Sequence, residues 1–319
     1  MALIGIDASR ATTRAPTGTE WYSYHLLRML PGLGQDDEFF LYTKKPLPPE
    51  LKTLGPHVHE RILGWLPGRL WTHTRFAWEM LRRPPDILFV PAHTIPIIHP
   101  SPTVTTAHDI GFDRFPELYS PAELLYHRWS MRFAVGHARH IIVPSSFTRQ
   151  ELLDVYGVRP ERVSVIYHGF DPQQFRILTD ARGLAHVVQK YGIRKPYVLS
   201  IGRLEQKKNT LGLVQAFTQL QKRYRGELTL VLAGTPGYQF EKVQEFIAAH
   251  HLGDAVRCTG YVPPADLPAL LNQAALFAFP SHYEGFGLPI LEAQACGVPV
   301  VTSTVTSMPE VAGAGAVLV

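Results

Sequence analysis

Short apolar runs alternate with amphipathic runs along the whole chain, and this alternation predicts the fold. In the first half, short and mainly apolar runs typical of buried strands occupy residues 3–7, 39–43, 87–91, 104–107, 141–143 and 163–167. Between them, apolar positions recur with helical spacing at residues 20–30, 70–82, 122–135 and 146–155. Because a strand buried on both faces is apolar throughout, the pattern predicts a parallel sheet covered by helices on both sides.

The same pattern restarts after a turn-rich segment at residues 168–172. Predicted strands follow at 197–201, 228–233, 256–258 and 275–279, and predicted helices at 210–223, 240–250 and 265–273. A chain of 319 residues also exceeds what one hydrophobic core usually supports. We therefore predict an α/β protein with two doubly wound, Rossmann-like domains, residues 1–172 and 173–319, which face each other across a cleft.

A glycine-rich loop in the second domain carries two acids. Residues 279–302 read as a strand end, a glycine loop, a short helix with Pro289 in its first turn, and another buried strand. Glu284 would lie in the loop and Glu292 in the helix. Because this unit ends at the carboxyl edge of a parallel sheet, both acids are expected to face one crevice there.

Basic side chains follow the first strand of the second domain. Gly202, Arg203 and Lys208 lie between the strand at 197–201 and a predicted helix. Backbone N–H groups at a helix start, a guanidinium group and an ammonium group together suit a diphosphate. Such a string on its own more often marks a solvated surface loop, but its position on the same sheet edge as Glu284 favours phosphate binding.

The first domain offers a second set of candidates. His108 and Asp109 directly follow the strand at 104–107, so they belong at the carboxyl edge of that sheet. His108 could act as a general base, although a single histidine at a strand end is more often structural. Gly18 lies at a predicted helix start, without the G-x-G-x-x-G fingerprint of dinucleotide-binding domains. The sequence has no Asp-x-Asp and no histidine set at metal-ligand spacing, so we predict no metal site.

Composition narrows the class of protein. Hydrophobic residues make up 45% and charged residues 18% of the chain, as in soluble globular proteins. The longest apolar runs are far shorter than the roughly 18 residues of a membrane span, and the first residues do not resemble a secretory signal. A cytoplasmic location is therefore expected. Cys258 and Cys296 fall in strand and helix patterns, which predicts two buried, reduced thiols.

One basic and aromatic segment, residues 65–83, stands out in a chain with a mild net charge of +4. It holds three of the five tryptophans and four arginines: Trp65, Trp71, Trp78, Arg69, Arg75, Arg82 and Arg83. Interleaved aromatic and basic side chains can hold a protein against the inner face of an anionic bilayer, or bind a lipid-linked substrate. A core-facing helix with an arginine-covered outer face is the favoured interpretation, and contact with a bilayer or a lipid-linked substrate stays open beside it.

Taken together, these residues resemble the family-4 retaining glycosyltransferases, which have the GT-B architecture, and in particular the mannosyltransferase-like group. The resemblance covers nearly the whole chain and is most specific in the Glu284-x7-Glu292 motif. It also rests on Gly202-Arg203…Lys208-Asn209, on the loop at Gly18, on His108-Asp109, on His168-Gly169-x-Asp171 and on the continuation from Ser307 to Gly313. Members of this family usually continue into helices that cross back to the first domain; we expect these to be missing here.

The resemblance implies a role for each candidate. Arg203 and Lys208 would bind the donor phosphates, Glu292 the ribose hydroxyls, and Glu284 would lie beside the transferred sugar. His108 would contact the donor sugar from the first, acceptor-binding domain. The implied catalytic residues are His108, Glu284, Arg203 and Lys208. The implied donor-binding residues are Gly18, Gly202, Arg203, Lys208, Gly234, Tyr261, Val262, Glu284, Phe286, Gly287, Leu288 and Glu292.

The implied reaction is transfer of a hexosyl group from a nucleotide sugar, with retention and with no metal or other cofactor. GDP-mannose is the favoured donor, UDP-glucose-type donors stay open, and the implied acceptor is a glycan or lipid-linked glycan in cell-surface polysaccharide synthesis. No nucleic-acid partner is expected. Alternatives are a non-catalytic two-lobed sugar-binding protein, and an epimerase or phosphorylase of the same fold.

Overall fold

The computed structural model describes residues 1–12, 18–64, 70–224 and 227–319. These residues divide into two compact units, Met1–Tyr167 and His168–Val319. Buried apolar side chains form separate clusters within each unit, so each has a core of its own.

Within the described residues, the first unit contains a seven-stranded parallel sheet in the order β3-β2-β1-β4-β5-β6-β7. Its strands are β1 (Leu3–Asp7), β2 (Glu38–Thr43), β3 (Val58–Ile62), β4 (Ile87–Val90), β5 (Thr103–Thr106), β6 (His140–Val143) and β7 (Val163–Val165). Its helices are α1 (Gly18–Leu33), α2 (Ala77–Arg82), α3 (Gly111–Arg114), α4 (Pro121–His137) and α5 (Ser146–Tyr156). The winding reverses between β1 and β4, where a doubly wound sheet opens its ligand crevice.

The second unit repeats this arrangement with six described strands in the order β10-β9-β8-β11-β12-β13, again all parallel. They are β8 (Tyr197–Ile201), β9 (Thr229–Ala233), β10 (Val256–Gly260), β11 (Leu276–Phe279), β12 (Val300–Thr302) and β13 (Ala316–Leu318). The helices are α6 (Ala181–Lys190), α7 (Thr210–Arg223), α8 (Phe240–Ala249), α9 (Leu267–Gln273), α10 (Leu288–Ala295) and α11 (Met308–Ala312). Here the winding reverses between β8 and β11.

Local chemistry explains where several helices begin and end. Helix α4 starts with a capping box, in which the Ser120 hydroxyl accepts from the Glu123 N–H and the Glu123 carboxylate accepts from the Ser120 N–H. Helix α5 ends at Gly157, whose φ of 62° is left-handed. Gly287 precedes α10 with a φ of 102°, a conformation that glycine adopts without a Cβ clash.

Several described elements lie outside the predicted pattern, and β3 and α6 are two of them. Strand β3 is an edge strand in which His59, Arg61 and Ile62 are exposed, so its sequence contains no apolar run. Helix α6 buries only Leu184 and Val188, which is too few positions to mark a helix by spacing alone. Both were missed because the burial that stabilises them involves few residues.

Two other predictions need correction. Cys258 is exposed because β10 is the edge strand of its sheet, whereas Cys296 is buried as predicted. The predicted helix at 70–82 begins as a π-helix, Thr72–Phe76, and becomes α-helical only in α2. In the part of the chain that the structure describes, no helix combines the length and the apolar character needed to cross a bilayer.

Candidate functional site

The strand ends at the β8/β11 reversal carry the predicted phosphate and acid loops. The loop after β8 contains Gly202 and Lys208, and the loop after β11 contains Glu284. The two loops are tied together, because the His282 N–H donates to the Lys207 carbonyl at 2.9 Å. The doubly wound topology thus brings together residues that are distant in sequence.

An ion pair joins the two loops at this point. The Lys208 ammonium donates to Glu284 Oε1, and the two side chains are only 22% and 11% exposed. Ser281 Oγ donates to the same oxygen at 2.8 Å, and the ammonium lies 5.4 Å from the centre of the Phe279 ring. Because both side chains are largely shielded from water, each charge is stabilised mainly by the other. An anion that binds Lys208 would therefore compete directly with Glu284.

Hydroxyl side chains from the segment after β12 hold the acid loop. Ser307, which is fully buried, donates to the carbonyl oxygens of Glu284 at 2.9 Å and of Phe286 at 2.8 Å. The Glu284 N–H donates to Thr306 Oγ1 at 3.3 Å. Two further bonds of this kind run from Thr302 to the Phe279 carbonyl and from Ser303 to the Ser281 carbonyl, both 2.8 Å. These hydroxyl groups are not among the site residues predicted from the sequence.

Glu292 lies on α10, the helix that directly follows the loop with Glu284. Burial raises the pKa of its carboxyl group from 4.5 to about 7. Within the described residues, no side chain donates a hydrogen bond to this carboxyl group. It is therefore available to accept hydrogen bonds from a ligand.

Arg203 does not join the Lys208–Glu284 pair. Its Nε lies 3.4 Å from Glu205 Oε2, and its side chain is 65% exposed. The structure thus places the two predicted phosphate-binding cations on different partners. An exposed arginine held by one surface ion pair can change partner at little cost.

The remaining predicted donor-site residues of the second unit lie around these loops. Gly234 packs against Gly202 so closely that a Cβ on Gly234 would lie 1.8 Å from the Gly202 carbonyl oxygen. Tyr261 is 45% exposed, whereas Val262 is buried. The other members lie at the loop and helix junction: Phe286 buried against the His168 ring at 5.1 Å, Gly287 before α10, and Leu288 as its first residue.

The predicted residues of the first unit lie at its own sheet edge. His108 Nε2 is 3.0 Å from the Pro91 carbonyl oxygen, and its ring meets that of Tyr22 edge-on at 4.8 Å. Burial lowers the pKa of His108, so the imidazole is held neutral. Asp109 accepts from the Gly111 N–H at 2.9 Å and so helps to start α3. Gly18 is the exposed first residue of α1.

A cluster of rings lies beyond the end of β4 in the first unit, and sequence analysis missed it. His127 stacks on Phe112 at 5.5 Å, and His93 lies 5.7 Å from His127. Tyr119 and Tyr126 meet His127 edge-on at 5.4 and 6.0 Å. We call these five residues the ring cluster. Its only sequence signal is His93, which follows an apolar strand just as His108 does.

Two imidazole nitrogens of the ring cluster lack a partner. His93 Nε2 and His127 Nδ1 are buried and have no hydrogen-bond partner among the described residues. Burial lowers the pKa of His93 to about 3 and also lowers that of His127, so both rings are neutral at pH 7. The cluster therefore combines flat apolar faces with neutral hydrogen-bonding groups.

The basic and aromatic segment at 65–83 divides into core and surface. Trp71 is 1% exposed, donates to the Leu63 carbonyl at 2.7 Å and stacks on Phe76 at 4.9 Å. Trp78 is 52% exposed, and the Arg82 guanidinium lies 5.7 Å from its ring. Trp71 is therefore a core residue, as the favoured interpretation of a core-facing helix predicts, and it is not available for lipid contact. Trp65 and Arg69 lie outside the described residues.

No group of three or more histidine, cysteine, aspartate or glutamate side chains in the described ranges is arranged to hold a metal ion. The groups described above at the strand ends are cations, carboxylates, hydroxyls and neutral rings.

Two family models match the chain. The model described as Glycosyltransferase Family 4 matches residues 16–174, and the model described as Glycosyl transferases group 1 matches residues 185–319. The gap between the two matches covers the end of the segment that connects β7 to α6 and the first turn of α6.

Curated relatives include two mannosyltransferases of Escherichia coli. O-antigen chain mannosyltransferase B is 37% identical over 211 residues, which cover 66% of this chain and 55% of that protein. The serotype-specific mannosyltransferase WbdA is 29% identical over 227 residues, which cover 70% of this chain and 27% of WbdA. The chain thus matches about half of the first relative and about a quarter of the second.

Solved structures share the fold over almost the whole chain. Anabaena HepE in complex with UDP and glucose superposes with a TM-score of 0.72 at 21% identity, covering 100% of this chain and 85% of that one. WaaG, a glycosyltransferase involved in lipopolysaccharide biosynthesis, superposes with a TM-score of 0.73 at 16% identity, covering 99% and 85%. At such identities the likeness concerns the fold.

Proposed function

Because the chain belongs to the family 4 and group 1 glycosyltransferases and has their GT-B fold, we propose that it transfers a hexosyl group from a nucleotide-diphosphate sugar. The acceptor in this proposal is a glycan or lipid-linked glycan of the cell surface. The two mannosyltransferase relatives support mannose as the transferred sugar, and we propose GDP-mannose as its donor.

The observation that carries the proposal is the ion pair of Lys208 with Glu284 at the β8/β11 reversal. A donor diphosphate would replace Glu284 as the partner of the Lys208 ammonium. The released carboxylate would then lie beside the sugar carbon whose bond to the phosphate breaks. Negative charge develops on the leaving diphosphate and positive charge on the sugar ring, so each side chain stabilises the charge that forms beside it.

Two further residues complete the donor contacts in this proposal. The buried carboxyl group of Glu292, which lacks a donor among the described side chains, would accept hydrogen bonds from the ribose hydroxyls. Arg203 would leave Glu205 and add a second cation to the diphosphate, since its side chain is largely exposed. Cations of the protein would thereby neutralise the phosphates without a metal ion, and we propose retention of the sugar configuration. The assignment of His108 to the donor sugar stays a prediction.

We assign acceptor binding to the ring cluster of the first unit. Flat aromatic faces suit the apolar face of a sugar ring, and neutral imidazole nitrogens can exchange hydrogen bonds with its hydroxyls. The exposed Trp78 and Arg82 on α2 would add a peripheral contact with the anionic inner face of a bilayer, where a lipid-linked acceptor resides.

A panel of nucleotide sugars tests the proposal. Thermal unfolding is measured with GDP-mannose, UDP-glucose and an ADP-sugar, and a ligand at about 100 times its Kd should stabilise the protein by about 2.7 kcal/mol. Release of GDP from GDP-mannose is then followed with and without mannose-containing oligosaccharides. Acceptor-dependent GDP release supports a transferase. Binding without release indicates a sugar-binding protein, and interconversion of free nucleotide sugars indicates an epimerase; either result overturns the proposal.

A further inference from the structure

We propose that Thr306 and Ser307 are positioning residues for Glu284, which hold its carboxylate in place when the donor takes Lys208 away. The inference rests on the proposed role of Glu284 in sugar transfer. It concerns two side chains that follow β12, so that α10 and β12 separate them in sequence from the loop that contains Glu284. Both act on the backbone of the acid loop and neither is expected to touch the donor.

Thr306 has a backbone conformation that needs an explanation. Its φ is 60°, in the left-handed region, which is a rare conformation for a β-branched residue. Among the described residues, five non-glycine residues have a left-handed φ, and two of them adjoin the ion pair. Asn209 directly follows Lys208, and Thr306 accepts from the Glu284 N–H. Asparagine tolerates this conformation, whereas threonine is strained in it, and such strain is concentrated at functional sites.

Ser307 satisfies two backbone acceptors with one hydroxyl group. Its Oγ lies 2.9 Å from the Glu284 carbonyl oxygen and 2.8 Å from that of Phe286, so one proton is shared between them. The loop here has no regular secondary structure that could pair these carbonyl groups. The side chain is 0% exposed, so water cannot replace it without entering the core. Ser307 therefore fixes the backbone on both sides of Gly285.

The need for these contacts arises when the donor binds. In the free protein the Lys208 ammonium and the Ser281 hydroxyl both hold the Glu284 carboxylate. Once the phosphate has taken the ammonium, Ser281 and the backbone of the loop are what remains. Catalytic groups that shift by about 1 Å can lose about 100-fold in rate. The contacts of Thr306 and Ser307 keep the backbone at Glu284 from moving in this way.

The first test exploits the strain at Thr306. Thr306→Gly relieves the strain of the left-handed backbone conformation, but it also removes the acceptor for the Glu284 N–H. We expect the melting temperature to stay level or rise, the Kd of GDP to stay unchanged, and kcat for GDP release from GDP-mannose to fall about tenfold. Thr306→Ser keeps the hydroxyl group and should retain most of the turnover.

His251→Gly is the matched control. His251 also has a left-handed φ, 53°. It lies between α8 and the start of β10, and therefore at the amino ends of the strands, opposite the candidate site. This variant should gain stability in the same way without any loss of kcat. A merely structural role for Thr306 predicts that Thr306→Gly behaves like His251→Gly. Wild-type kcat in Thr306→Gly therefore overturns the inference.

A double-mutant cycle tests Ser307 and separates the two proposals. Ser307→Ala should lower kcat about tenfold in the wild-type background and much less in the Glu284→Gln background, where no carboxylate remains to be positioned. Equal losses in both backgrounds contradict a positioning role. If Glu284→Gln itself turns over at the wild-type rate, the proposed role of Glu284 fails, and the inference fails with it. A low rate for Glu284→Gln with a wild-type rate for Ser307→Ala and Thr306→Gly overturns the inference alone.

Discussion

The two units share the order of six strands and the same point of reversal, yet their sheet edges carry different chemistry. At the edge of the second unit, a partly buried ion pair is held by a network of hydroxyl groups. At the edge of the first unit, neutral imidazoles and aromatic rings pack together. All five tryptophans and ten of the 15 histidines belong to the first unit.

Under the proposed function, this difference means that one scaffold serves two kinds of ligand through its loops alone. A diphosphate carries fixed negative charge, so its site needs cations and a counter-charge that keeps them in place before the ligand arrives. A glycan carries hydroxyl groups and apolar ring faces, so its site needs flat side chains and neutral hydrogen-bonding groups. Burial of His93 and His108 suits such a site, because it lowers the pKa of both imidazoles and keeps them uncharged.

The largest effect on activity is expected from removing the Lys208 cation at the sheet edge of the second unit. Lys208→Ala should lower kcat by about 100-fold, in line with the loss of one preorganised group that stabilises developing charge. It also leaves the Glu284 carboxylate buried without its cation, which costs about 3 kcal/mol of unfolding free energy. The double variant Lys208→Ala/Glu284→Gln should recover that stability but not the activity, as measured by thermal unfolding and GDP release. Near-wild-type turnover of Lys208→Ala would show that the Lys208 cation does not stabilise the developing charge, and the contrast between the two sheet edges would lose its main support.

The next effect concerns Glu292 and the pH. Its pKa is raised from 4.5 to about 7, so between these values the folded protein holds a proton that the unfolded chain has lost. The free energy of unfolding therefore falls as the pH rises through this window, by about 3 kcal/mol in total. Glu292→Gln removes this titration. It should be more stable than the wild-type protein above pH 7 and equally stable below about pH 4, where both states hold the proton, as measured by denaturant unfolding at several pH values.

Glu292 also sharpens the comparison through ligand binding. Glu292→Ala should weaken GDP binding about tenfold through loss of charged hydrogen bonds to the ribose, with kcat at saturating donor little changed. Glu241→Gln, on the exposed face of α8, is the control for both experiments and should alter neither property. An unchanged Kd for GDP in Glu292→Ala would remove this residue from the donor site.

A smaller effect on activity is expected from a substitution in the ring cluster at the sheet edge of the first unit. His127→Ala should raise the KM for an oligosaccharide acceptor about fivefold through loss of ring stacking and one hydrogen bond, and leave the Kd of GDP unchanged. His140→Ala is the control within the same unit, since His140 lies at the start of β6, on the opposite edge of the sheet. If the donor affinity changed instead of the acceptor KM, the division of roles between the units would be wrong.

The smallest effect concerns the exposed surface of the first unit. Trp78→Ala should change the free energy of unfolding by less than about 0.5 kcal/mol, because the side chain is exposed. It should still reduce binding to vesicles of phosphatidylglycerol and phosphatidylcholine about twofold or more, measured by co-sedimentation. Tyr224→Ala, at an exposed aromatic residue of the second unit, should leave vesicle binding unchanged. Equal losses in both variants would show that the two surfaces do not differ.

The elements that sequence analysis predicted well are those that bury a continuous face. The strand Tyr197–Ile201 and the helix Thr210–Arg223 have the predicted bounds, because an apolar run and a regular apolar spacing mark them fully. Edge strand β3 was missed because most of its side chains face solvent. The order of the strands follows from general rules of doubly wound sheets, whereas the bounds of edge elements depend on contacts that are not visible in sequence.

The candidate site divides in the same way. Lys208 and Glu284 were predicted to share a crevice, because each follows a strand at the same sheet edge, and they do form a pair. Their direct contact could not be predicted, since it depends on side-chain conformation. Thr306 and Ser307 act on backbone atoms about 20 residues earlier in the chain, and a serine or threonine in a loop carries no sequence signal for such a contact.

The contact between Gly234 and Gly202 has a practical consequence for protein engineering. Any side chain at position 234 would need to occupy the space of the Gly202 carbonyl oxygen, 1.8 Å from its Cβ, and would push the ends of β8 and β9 apart. If the proposed nucleotide-sugar site is to be redesigned for a new nucleotide, a variant library should keep position 234 as glycine. Diversity belongs at Thr235 and Tyr261, whose side chains are exposed beside this contact and can be exchanged without moving the backbone.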